Sequence, residues 1–153
     1  MNILVTGVCG LIGKKLAIYL LGKGYKVFGI GRSKCDDLDD QPLFNFFSID
    51  LASHNASEEL KKAILVKIDL IIHCAAQQPR PGLLFKDYRK GNIDTTENIV
   101  EWAKDSNIQT IISFSTVAFL DFSQENGATI TESARVNPSN NYALSKMISE
   151  SYL

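Results

Sequence analysis

Tyr142 and Lys146 stand four positions apart in Tyr142-Ala143-Leu144-Ser145-Lys146, so on a helix their phenol and ammonium share one face. A free tyrosine titrates near about 10, and a phenol that serves as a base at neutrality needs its phenolate favoured by about 4 kcal/mol. A neighbouring ammonium acts in that direction. Thr116 follows an apolar run that ends in Ser113 and Ser115, and its hydroxyl can orient a substrate hydroxyl or carbonyl beside the phenol. Taken alone, the Tyr/Lys pair fits an ordinary exposed helix face equally well. The second chemistry-bearing stretch lies at the other end of the chain, where Gly7, Gly10 and Gly13 are spaced G-x-x-G-x-x-G. Gly7 permits a turn that a Cβ would block, Gly10 lets a ligand approach the backbone, and Gly13 lets a helix lie near a strand. The backbone N–H groups from Cys9 through Leu11 and Ile12 then face an anion such as a pyrophosphate.

These groups need elements to hold them. Ile3 to Val5 reads as a buried strand, and an amphipathic helix from Lys14 to Leu21 follows the glycines, with Leu16, Ala17, Leu20 and Leu21 at helical spacing and Gly22-Lys23-Gly24 as its stop. Strand, glycine turn and helix in that order point to dinucleotide binding. The oxidised nicotinamide ring of such a cofactor adds a second positive charge to favour the phenolate. Tyr25 to Ile30 is the second strand and ends at Gly31-Arg32-Ser33-Lys34. NAD-binding folds carry an acidic residue there for the ribose hydroxyls. Here a glycine and a cation replace it, so Arg32, helped by Ser33 or Lys34, is expected to hold a 2′-phosphate and to favour NADP over NAD. The competing roles for Arg32 are a solvated loop residue or an adenine-stacking one.

Cys35 to Gln41 reads as a polar, mobile loop, and Phe44 to Ile49 as the third strand. Asp50 either accepts from an adenine amino group or caps the following turn, and Leu51 can cover the ring. A helix is expected near Glu58 to Leu65, with His54 solvated in the loop before it. Asp69 to His73 is the nearly all-apolar fourth strand, and it delivers the small residues Cys74, Ala75 and Ala76, against which a flat ligand can lie. His73 tempts a catalytic reading, but no acid lies beside it in sequence and packing is the expected role. Gln77 to Leu84 is a loop suited to edging a site, and Asn92 to Lys104 a helix with a stripe of Ile93, Ile99, Val100 and Ala103. Trp102 falls partly off that stripe, either as a partner surface or as snorkelled packing. Thr110 to Ser115 is the fifth strand, Phe119 to Arg135 a long polar connection containing Gly127, and Asn140-Asn141 the start of the last helix.

A chain of 153 residues with 45% hydrophobic and 22% charged residues suits a single α/β domain, residues 1–153. The net charge of −1 provides no basic excess for nucleic acid or an anionic membrane surface. Three cysteines, Cys9, Cys35 and Cys74, are an odd number without metal-ligand spacing, so free thiols in a reducing cytoplasm are expected, with neither disulfide nor metal site. The glycines interrupt the apolar start, which is therefore not read as a signal peptide.

The ordered set of Thr6 to Gly13, Asp50-Leu51, His73-Cys74-Ala75-Ala76, Asn92, Ser115-Thr116 and Tyr142 to Lys146 resembles the extended short-chain dehydrogenase/reductases, and within them the nucleotide-sugar epimerase/dehydratase branch. The resemblance implies a doubly wound Rossmann sheet of order 3-2-1-4-5 with bound NADP or NAD. It implies Tyr142 as the base, Lys146 as the residue holding the nicotinamide ribose, Thr116 as the substrate-orienting hydroxyl, and Asn92 as a support of the site. It also implies a nucleotide-sugar substrate and a homodimer through Asn92–Lys104 and Asn140–Leu153. Two departures stand out. Leu120-Asp121 replaces the usual Tyr-Gly pair, and relatives continue past the Tyr/Lys helix into a sixth strand and a substrate-binding region, which leaves strand five expected as an open edge.

Overall fold

A computed structural model describes residues 1–33, 35–121 and 129–153; Lys34 and Gly127 lie outside the described residues. Five parallel strands form one sheet in the order β3-β2-β1-β4-β5: β1 (Asn2–Thr6), β2 (Lys26–Gly31), β3 (Phe44–Ser48), β4 (Leu70–His73) and β5 (Ile111–Ser113). The expected order is the one observed. Every strand begins within two residues of the position read from the apolar runs.

Alternation along the strands divides the core between the two faces. Ile3 and Val5 of β1 and Ile72 of β4 face helix α1 (Leu11–Gly22) and pack with Ala17 and Leu20. Leu4 and Ile71 face the other way, toward α2 (Ala56–Ala63) and α4 (Thr95–Asp105), in a cluster with Leu60, Ile99 and Trp102. The chain leaves β1 toward β2 on one side and reaches β4 from the other, so the strand order reverses between β1 and β4. Ligand crevices in open α/β sheets form at that reversal, outside the carboxyl ends of the strands.

One open alternative settles toward packing, and two expectations are corrected. Trp102 is only 2% exposed, because α2 closes over α4 and takes the indole into the core; it presents no partner surface. The segment after β2 is anchored rather than loose: Asp36–Leu38 forms a short 3-10 turn, and Leu38 and Cys35 are buried against the α1 face. Cys9 and Cys35 are joined in a disulfide, their Cα atoms 5.4 Å apart. Counting cysteines could not find this pair, because it depends on β1 and β2 being neighbours whose carboxyl-end loops meet. Cys74 remains a free thiol, and burial pushes it up to about 11, which makes it a poor nucleophile.

The helix predicted from Asn92 is longer and irregular. A helical turn, α3 (Phe85–Tyr88), runs into a π-helical stretch at Arg89–Asp94 and then into α4. Single π turns of this kind re-aim side chains at functional positions. The last helix, α5 (Asn141–Glu150), starts as expected, with the Asn140 side chain accepting from the Ala143 N–H at 2.9 Å. Among the described residues no helix is long and apolar enough to cross a membrane, and no group of His, Cys, Asp and Glu is arranged to hold a metal.

Candidate active site

A cavity of about 470 Å³ opens at the carboxyl ends of β1, β2 and β4, within the ordinary range for small-molecule sites. It brings together Gly7, Cys9 and Gly10 from the turn after β1, Arg32 after β2, Asp50 and Leu51 after β3, and Cys74, Ala75 and Ala76 after β4. Leu11, Ile12 and Gly13 are not among its lining residues and form the first turn of α1. Gly10 caps that helix without a side chain, and no acid occupies its first turn, so its leading N–H groups and their partial positive charge are left for an anion.

The glycines are needed for reasons visible in the packing. Gly7 has φ +63, and a Cβ there would lie 2.8 Å from the Ala75 backbone. A Cβ on Gly13 would overlap the Gly7 carbonyl. Gly7→Ala therefore combines a left-handed backbone penalty with a backbone clash, and should cost about 2–4 kcal/mol in a urea melt. An unchanged midpoint would contradict this geometry.

Asp50 does cap its turn, its carboxylate accepting from the Ala52 N–H at 3.2 Å, and it also lines the cavity. His54 is exposed, as expected. Gln77 and Leu83 come from the loop expected to edge a site, and residues that the sequence reading missed complete the wall: Asp87, Lys90, Gly91 and Thr95. Gly91 was the available signal. A Cβ there would come within 2.5 Å of the Gln77 Cβ, so only glycine lets the π turn touch the loop after β4.

Asn92 is not part of this cavity's lining. It is buried, its side-chain oxygen accepts from the Gln77 N–H at 2.6 Å, and its amide donates to Ser145 Oγ at 2.8 Å. One side chain thus fixes the loop after β4 to the helix carrying the Tyr/Lys pair. His73 occupies a second buried network. Thr96 donates its single hydroxyl proton to the Asn92 carbonyl at 2.8 Å, so it must accept from His73 Nε2 at 3.2 Å. Nδ1 then accepts from Thr6 Oγ1 at 2.8 Å, and Thr6 accepts the Ala75 N–H at 3.1 Å. The imidazole is neutral, its pKa pushed down to about 3 by burial and secondarily by the Lys146 charge. Packing, rather than acid–base work, is its role.

A second cavity, about 380 Å³, is lined by Arg80, Leu83, Tyr88, Asn140 and Tyr142 among others. Leu83 lines both cavities, so it is their common wall. Tyr142 is half-buried with its ring edge-on to Tyr88, centroids 6.1 Å apart. The Lys146 ammonium is buried and donates to the Phe114 carbonyl at 2.7 Å. Burial lowers its pKa, and Glu150 partly offsets this. Thr116 accepts the Ala118 N–H at 3.2 Å, which leaves its own proton to donate. In place of the expected Tyr-Gly pair, Leu120 bridges antiparallel to Val136, and Asp121 donates its N–H to the Arg135 carbonyl at 2.8 Å.

Residues 3–153 match the family model described as the NAD dependent epimerase/dehydratase family. The chain belongs to that family. In sequence it is 28% identical over 158 aligned positions to a decarboxylating sterol-4-alpha-carboxylate 3-dehydrogenase of Dictyostelium discoideum, covering 99% of this chain and 47% of that protein. In structure it is similar to the Bordetella bronchiseptica enzyme WbmH in complex with NAD+ (TM-score 0.83, 27% identity, 99% of this chain and 51% of that one). It is also similar to a UDP-glucuronic acid 4-epimerase variant from Bacillus cereus in complex with a fluorinated UDP-sugar and NAD (TM-score 0.81, 26% identity, 99% and 51%). The chain thus spans about half the length of these family members.

Proposed function

We propose that these residues form the dinucleotide-binding domain of an epimerase/dehydratase that acts on a nucleotide sugar, with Tyr142 moving the proton. The observation that supports the reading is that Leu83 lines both the glycine-lined cavity and the cavity beside Tyr142. The glycine turn, whose missing side chains leave the backbone open, fits a diphosphate, and Cys74 to Ala76 give the flat floor that a ring needs. NAD(P) held by the glycine turn and the Cys74 to Ala76 floor would supply hydride-transfer chemistry.

The chain's own residues do the rest. Tyr142 accepts the substrate hydroxyl proton as the carbonyl forms and gives it back on reversal. Lys146 has one N–H committed to Phe114, and its other two donors serve the ribose hydroxyls and the phenolate side. Thr116 donates to the substrate oxygen and fixes its angle, while Asn92 holds the loop and α5 in register. A cofactor titration followed by turnover on a panel of UDP-sugars tests the reading; absence of both would overturn it.

Arg32 stands at the cavity wall where an NAD site would carry an acid, which favours NADP(H). Arg32→Ala should weaken NADP(H) binding about tenfold and NAD(H) less than about twofold, since one charge-assisted contact is removed. Tighter binding of NAD(H) by the unaltered protein would reject the preference.

A second reading is favoured by β5. This edge strand pairs with β4 alone among the described strands, and Ile112, Phe114 and Val117 around it are 50%, 42% and 65% exposed. In that reading the domain binds the dinucleotide but turns over only when another polypeptide surface covers the edge, and binding without turnover supports it. A homodimer through Asn92–Lys104 and Asn140–Leu153, and a cytoplasmic site of action, complete the proposal. Trp102, being buried, lends the dimer no support.

A further inference from the structure

We propose that Cys9 and Cys35 form a reversible thiol–disulfide site that sets how tightly the phosphate-bearing adenosine end of the dinucleotide is held, with a small-molecule disulfide of the glutathione class as its oxidant. The inference rests on the dinucleotide reading of the first cavity. The cross-link closes a separation of 26 residues and joins the glycine turn after β1 to the segment after β2. Gly31, Arg32 and Ser33 lie between the joined residues and line the same cavity as Cys9. Sγ of Cys9 sits 2.9 Å from the Ser33 carbonyl oxygen and 3.1 Å from where a Gly31 Cβ would be. The bond therefore ties together the two walls that would grip the diphosphate and the adenosine ribose.

The two sulfurs differ in access. Cys9 is exposed, while Cys35 is 5% exposed beneath the α1 face. An external disulfide thus reaches Cys9 first. The Cys9 thiolate attacks one sulfur of the oxidant, forms a mixed disulfide and expels one thiolate. The Cys35 thiolate then attacks Cys9 Sγ and expels the second. Two electrons pass to the oxidant, and the two protons lost by the cysteines end on the two released thiols.

The closed form fixes Arg32 and Ser33 beside the cavity before any ligand arrives, and preordering a loop strengthens binding. The dithiol form should therefore bind NADP+ about tenfold more weakly than the disulfide form, measured by calorimetry on the same protein after reductant or oxidised glutathione. Alkylation and mass spectrometry should show two of the three cysteines protected after oxidation. Cys35→Ala, which removes the second thiol from outside the cavity lining, should bind as the reduced protein does and ignore the oxidant. Equal affinity in both redox forms, or no protection by oxidised glutathione, overturns the proposal and leaves the dinucleotide site standing. If neither form binds any dinucleotide, both readings are overturned.

Discussion

Tyr142→Phe should lower turnover on a UDP-sugar by about 10²–10⁴-fold while leaving the dinucleotide dissociation constant within about twofold, because general-base catalysis by a positioned group is worth that much. The substitution removes one oxygen and keeps the ring, so the edge-on contact with Tyr88 at 6.1 Å survives and α5 keeps its seat. Ser145, Asn92 and the Asn140 cap, which hold that helix, are untouched. A loss confined to kcat, with the melting temperature unchanged, identifies the phenol as the proton carrier. Retained turnover would remove it from the mechanism and shift attention to Thr116.

The second large effect is on stability in acid. His73 titrates near 3 in the folded chain against an ordinary value of 6.5, because the imidazole is fully buried and faces the Lys146 charge. Below the ordinary value the unfolded chain takes up a proton that the native chain refuses, so the unfolded state binds more protons and stability falls with pH. The loss begins near 6.5, continues down to about 3, and amounts to about 3 kcal/mol by pH 4. Urea melts at pH 7 and pH 4 on the unaltered protein and on His73→Gln separate this contribution from that of the carboxylates, which both proteins share. The variant should be weaker at pH 7, having lost part of the Thr6 and Thr96 network, yet lose about 3 kcal/mol less on acidification. Parallel pH profiles would show that His73 is not the group responsible.

The parts of this site that were legible in the sequence are those where a local pattern carries the physics. The glycine spacing is read within its own turn, and the apolar runs that make β1, β2 and β4 are buried along most of their length. Tyr142 and Lys146 needed only a helix. Residues that depend on a meeting of distant segments were not legible. Trp102 looks half off its stripe until α2 is laid over it, and Cys9 finds Cys35 only once β1 and β2 are side by side. Lys90 and Gly91 were passed over because a regular helix from Asn92 places no emphasis on the turn before it, and a π turn has no simple periodic signature. Asn92 was singled out, but what it touches became apparent only with the loop after β4 in place.

The Asn92 amide also constrains how this protein can change. With the Gln77 backbone N–H on one end and the Ser145 hydroxyl on the other, mutations at Asn92 and Ser145 should not be independent events, since an altered side chain at either strands a buried partner at the other, whereas Gln77 is held through its backbone. The loop after β4 and the helix that carries Tyr142 are thereby inherited as one unit, and divergence has freer ground in the exposed loop around Arg80.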